Sequence, residues 1–185
     1  EWVEETIVSE MPDDRNIRKA FRREEVLDTI QDEVVAFITD LLSGNIPHDV
    51  TEDARLQLRV ADELESVGDY LINILKSSLK LHESNLRFSQ EDVEEIKKLH
   101  DMVAAYFETV KQAFVLRRTL DVKGVHSDGD AITHRIKQLR ETFIVKMSDQ
   151  RFDPQLVVAF NFQLNAYRRV REHTTNIAEA MAGEK

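Results

Sequence analysis

Residues 59–75, Arg59-Val-Ala-Asp-Glu-Leu-Glu-Ser-Val-Gly-Asp-Tyr-Leu-Ile-Asn-Ile-Leu75, join a helical period, a mid-helix glycine and a stripe of carboxylates. At about 100° per residue, Val60, Leu64, Val67, Leu71, Ile74 and Leu75 fall on one face, which predicts an amphipathic helix turned to a core. Asp62, Glu65 and Asp69 run along the shoulder of that face at i, i+3 and i+7. Like charges one turn apart destabilise an isolated helix by roughly 0.2–0.5 kcal/mol, so Glu65 and Asp69 need solvation or a compensating partner. A cation is such a partner, since carboxylate oxygens are hard ligands for magnesium or manganese and hold iron or zinc where several converge. Gly68 costs about 1 kcal/mol relative to alanine inside a helix. Its place between the two acids predicts a second helix passing close to the backbone.

Only five glycines and three prolines interrupt the chain, 32% of its residues are charged, and no stretch alternates strictly with period two. The expected fold is therefore all-α. With 25 basic against 35 acidic side chains the net charge is −10. Nucleic acid is excluded as an expected partner, because phosphate binding needs a basic face; metal cations or basic protein surfaces fit better. The chain has no cysteine, which removes disulfides, iron–sulfur clusters and thiol chemistry. No apolar run approaches the roughly 18 residues of a membrane span. A start at Glu1 without methionine or signal peptide reads as a piece of a longer protein.

Residues 1–15, with Trp2, Val3, Ile7 and Val8 before Met11-Pro12, read as a linker or short helix. A first long helix is expected from Asn16 to Ser43, with the apolar stripe Val26, Ile30, Val34, Phe37 and Leu41 and a stop at Gly44-Asn-Ile-Pro47. Thr51 opens the second, which ends near Glu83. Ser89-Gln-Glu-Asp92 resembles a capped start for a third helix reaching Leu120. Val122 to Gly129 reads as a loop, followed by a fourth helix from Asp130 to Ser148. Asp153, with Pro154 at the first helical position, caps a fifth that runs to Met181. Short joints between long helices predict antiparallel packing.

The last helix repeats the central one. Asn73-Ile-Leu-Lys76 corresponds to Asn176-Ile-Ala-Glu179, setting Glu65 over Arg168 and Asp69 over Glu172 at an offset of 103 residues; Asp28 and Asp32 lie over Asp130 and His134 at an offset of 102. Each half then offers two pairs at i, i+4. The first half carries four acids, Asp28, Asp32, Glu65 and Asp69. The second has Asp130, His134 and Glu172 but also the fixed positive charge of Arg168, and makes a poorer cation site.

These residues resemble the PhoU family. Its motif, Glu-Arg-Ile-Gly-Asp followed by Asn-Ile-(Ala/Cys)-Glu, is similar to Glu65-Ser-Val-Gly-Asp69…Asn73-Ile-Leu-Lys76, and Asp28-x-x-x-Asp32 is similar to the family's second acidic motif. The resemblance runs from about Asn16 to Ala182. It implies two three-helix bundles, here residues 16–88 and 89–185, that hold metal clusters through the acidic motifs and regulate phosphate uptake at the cytoplasmic face of the cell membrane. Ala61-Asp-Glu-Leu-Glu-Ser-Val-Gly-Asp-Tyr70 looks most like the PhoU domain that follows the membrane part of bacterial sodium/phosphate cotransporter-family proteins. The implied partner is a membrane phosphate transporter, the N-terminal part of the same polypeptide. Six helices are implied and five are counted, so the first bundle lacks a helix or has it reduced to residues 1–14. An apolar face left bare in this way would pair with another copy.

Each reading has a plainer counterpart. Glu65 and Asp69 could be a solvated face, Arg168 and Glu172 an intrahelical salt bridge, and His134 an ordinary surface residue. No nucleophile–base constellation and no glycine-rich phosphate loop supports catalysis. A ferritin-like metalloenzyme needs Glu-x-x-His on its bundle helices, whereas Lys97-Lys-Leu-His100 and Ala131-Ile-Thr-His134 lack the glutamate. The expectation is a regulatory module rather than an enzyme, with a metal-free dimerisation scaffold as the alternative.

Overall fold

The computed structural model describes residues 13–149 and 153–183, so expectations for residues 1–12, Trp2 to Met11 among them, and for the joint at 150–152 lie outside the described residues. Five helices and no strands make up the described chain: α1 (Asp14–Ser43), α2 (His48–Glu83), α3 (Gln90–Val115), α4 (Val122–Asp149) and α5 (Pro154–Met181). The fold is an all-α helical bundle, as the scarcity of glycine and proline predicts. Helices α2 and α5 form its spine. α1 packs on α2 alone among the described helices, while α3, α4 and α5 all touch one another.

Local chemistry sets most ends. Asp13 accepts from the Arg15 backbone N–H at 2.9 Å, and Asp153 accepts from that of Gln155 at 2.8 Å with Pro154 in the first turn. Ser89 accepts from the Asp92 N–H at 3.2 Å and donates to the Asp92 carboxylate at 2.5 Å, so the expected cap is present. Asp92 itself is buried and held by Lys146 at 2.9 Å, which ties the start of α3 to α4. Asn85 closes α2 at φ 57 with the Leu86 N–H bonded to the Leu81 carbonyl.

Three expectations are corrected. α2 begins at His48 rather than Thr51, and the Thr51 hydroxyl donates back to the Pro47 carbonyl. α3 stops at Val115 rather than Leu120: Arg117 takes φ 48 and the Arg118 N–H bonds the Ala113 carbonyl, so a left-handed closure turns the chain one turn early. The stretch 122–129, expected as a loop, is the first two turns of α4. Val125 is buried in the core, and a Cβ at Gly129 would stand 3.4 Å from both the Tyr106 hydroxyl and Arg171 Cδ. That glycine marks close helix packing, not a turn.

The expected burial of α2 holds at Val60, Val67, Ile74 and Leu75, and Ile72 adds a second buried face toward α1. The stripe assigned to α1 does not hold. Val26, Ile30 and Phe37 are 49%, 49% and 69% exposed, and the side turned to α2 carries Ile17, Ala20, Phe21, Leu27, Gln31 and Ile38 instead. Those positions fall on one side of the helix, the seam of a two-helix contact. α1 thus has two apolar flanks, and only one is covered by another described helix.

Gly68 faces α1 as expected, since a Cβ there would lie 2.9 Å from Leu27 Cδ1. For Gly68→Ala, the gain of about 1 kcal/mol in helix propensity is offset by a Leu27 rotamer shift of roughly 0.5–1.5 kcal/mol, so urea unfolding should show a change below about 1 kcal/mol. Gly68→Leu places branched carbon where Leu27 stands. It should cost about 1–3 kcal/mol and move α1 off α2.

Candidate metal site

Close approach of α1 and α2 at Gly68 brings three of the singled-out acids together. One carboxylate oxygen from each of Asp28, Glu65 and Asp69 lies within 4.8 Å of the others, the sole such group of metal-ligating side chains among the described residues. Two ligands on opposite sides of a divalent cation stand about 4–5 Å apart, so the spread fits one ion without rebuilding the backbone. Asp28 and Asp69 are exposed and Glu65 is half-buried.

Burial raises the Glu65 pKa, and the Asp69, Asp28 and Asp62 carboxylates raise it further, against a lowering from the Ser66 hydroxyl, which donates to Glu65 at 3.3 Å. Glu65 is thus crowded by like charge from both helices. Oxygen donors of this kind suit magnesium or manganese, and also iron or zinc.

The helical wheel explains which acids converge. On α1, Asp28 sits about 60° from the centre of the face turned to α2, and Asp32 about 100° from it. Asp28 reaches the group and the exposed Asp32 does not. Asp62 also stays outside it, accepting from Gln31 Nε2 at 2.8 Å in a second bond between the two helices.

In the second half, a guanidinium stands where a cation would. Both Glu172 oxygens are taken, one by Arg168 at 2.6 Å and the other by Arg169 at 3.0 Å. Asp130 and His134 are exposed along α4 and do not converge with Glu172. The repeat is structural here, and its second site is closed by arginine.

Sequence reasoning missed Glu63. Its carboxylate accepts from His173 Nδ1 at 2.7 Å and from Asn176 Nδ2 at 3.0 and 3.1 Å, joining α2 to α5, and His173 stacks on Tyr70 at 5.5 Å. The repeated asparagine, Asn73 and Asn176, was the available signal.

These features define a helical bundle with one acidic inter-helix site. The chain is 25% identical over 125 residues, 66% of its own length, to the phosphate-specific transport system accessory protein PhoU homolog 1 of Thermotoga maritima. This distant, partial similarity supports the PhoU family. The chain spans about half of that relative, 52% of its length. No family profile matches the chain. No solved structure matches it. No described helix is long and apolar enough to cross a membrane.

Proposed function

We propose that this chain is a regulatory domain of a phosphate or sodium/phosphate transport protein, working at the cytoplasmic face of the cell membrane. The observation that carries the reading is the meeting of Asp28 with Glu65 and Asp69 from two helices. The similarity to a phosphate transport accessory protein supports it. In this reading a divalent or trivalent ion, with iron, zinc, manganese and magnesium as candidates, binds the three carboxylates and supplies the positive charge that the site lacks. Asp28 then pins α1, Glu65 and Asp69 pin α2, and the relative position of the two helices sets the surface offered to the membrane transporter, the N-terminal part of the same polypeptide. The domain does no catalysis.

Glu65→Ala combined with Asp69→Ala should abolish bound metal and release transport from regulation, read as phosphate uptake by cells carrying the variant. Unchanged metal content together with unchanged uptake would refute the proposal. The second reading, a metal-free dimerisation scaffold, is favoured by the exposed Val26, Ile30 and Phe37 on the flank of α1 that no other described helix covers, and predicts intact partner binding after exhaustive chelation.

A further inference from the structure

One stripe along α2 changes sign. Asp62, Glu65 and Asp69 are followed on the same side of the helix by Asn73, Lys76 and Lys80, so lysines replace acids two turns beyond the carboxylate group. The repeat does not share this change. The counterpart of Lys76, at an offset of 103, is Glu179, which stands 3.7 Å from His126 Nε2. Beside the two lysines, α2 and α5 leave a groove of about 480 Å³. Lys76 and Lys80 line one wall and Val158 and Phe162 the other, over a floor of buried Leu81 and Ala159. Val158 and Phe162 are 69% and 44% exposed. No acid lines the groove, and neither lysine forms an ion pair with a described residue. Lys76 Nζ instead lies 5.7 Å from the centre of the Phe21 ring of α1, which steadies it at the groove edge.

The two walls favour different chemistry. Ammonium groups gain from an anion, whereas exposed valine and phenylalanine gain from contact with apolar surface. One molecule satisfies both only if it joins a negative head to an apolar tail. Volume decides its size: the groove falls within the roughly 300–1,000 Å³ of small-molecule sites. Two turns of a partner helix, roughly 10 Å wide and 11 Å long, would need roughly 850 Å³. We infer that the groove binds a small amphiphilic anion, its carboxylate or phosphate between Lys76 and Lys80 and its acyl or aryl tail along Val158, Ala159 and Phe162. The anion is free in solution rather than the headgroup of a bilayer lipid, because a net charge of −10 opposes approach to an anionic membrane surface. The groove shares α2 with the carboxylate group but uses none of its acids, and so stands or fails separately from metal binding.

Isothermal titration of the full 185-residue chain in chelator with decyl phosphate, below its micelle concentration, should show one molecule bound with micromolar affinity. Decanol, which lacks the charge, and inorganic phosphate, which lacks the tail, should each bind more weakly by at least about tenfold. Lys76→Gln combined with Lys80→Gln should bring decyl phosphate down to the level of decanol. Phe162→Ala should weaken it about tenfold, and both variants should keep their helical circular dichroism. Decyl phosphate that binds wild type and the double lysine variant equally, or that binds no better than decanol or inorganic phosphate, would overturn the proposal. Failure to bind decyl phosphate would overturn it too: uptake of phosphatidylglycerol vesicles instead would assign the face to a membrane, and protection of Phe162 from solvent would assign it to a protein segment.

Discussion

Phe160→Ala should cost about 3–5 kcal/mol of unfolding free energy, the largest loss expected from any single change considered for this chain. Phe160 is 2% exposed on α5, its ring stacked on Phe143 of α4 at 3.9 Å and meeting Phe88 edge-on at 5.9 Å. Truncation removes both ring contacts and leaves a cavity at the junction of α4, α5 and the connector before α3. Phe162, two residues on and 44% exposed, is the control; its alanine variant should stay within about 0.5 kcal/mol. Urea unfolding followed by circular dichroism, in the presence of chelator, checks both. Equal losses at the two positions would mean that α5 is not the spine described.

The second large effect has opposite signs with and without metal. Burial and three neighbouring carboxylates raise the Glu65 pKa in the folded chain. A carboxyl group whose folded pKa lies above its unfolded value binds protons more tightly when folded. Its ionisation therefore costs stability as pH rises from the ordinary carboxylate range through the raised value, and the cost persists at neutral pH. Glu65→Gln removes that charge. The metal-free variant should be more stable than wild type at pH 7, by at least the roughly 0.2–0.5 kcal/mol of the like-charged Glu65–Asp69 pair, with the difference vanishing in acid. With metal present the order should reverse, because the variant has lost a ligand and with it the ligand-linked stabilisation. Thermal unfolding across pH, with and without manganese, tests this. A variant less stable than wild type in chelator would show that Glu65 is held by something other than repulsion.

How much of this was legible in the sequence follows from what each pattern encodes. The α2 period and Gly68 were read correctly because both faces of that helix are covered and the glycine has a neighbour, Leu27, at contact distance. α1 was misread because it carries two apolar flanks. Spacing shows which residues are apolar, and only tertiary packing decides which flank meets α2. Asp28 was reached through the repeat, which does not depend on which flank of α1 meets α2. Asp32 was reached the same way but lies about 40° further round α1 from the side turned to α2, outside the group. Gly124 and Gly129 suggested a loop, since glycine permits both a turn and a close helix contact; at Gly129 the contact with Tyr106 and Arg171 is what the structure uses. Glu63 resembles any surface glutamate until α5 brings His173 and Asn176 against it.

The central claim is that Asp28, Glu65 and Asp69 form a cation site, and elemental analysis tests it most directly. Protein purified without chelator or affinity-column metal, then incubated with manganese, iron and zinc and desalted, should retain metal in the wild type and lose it in Asp69→Asn, while Asp32→Asn keeps the wild-type content. Absence of metal from the wild type, or equal metal in wild type and Asp69→Asn, would contradict the account and leave the three carboxylates a solvated helix face.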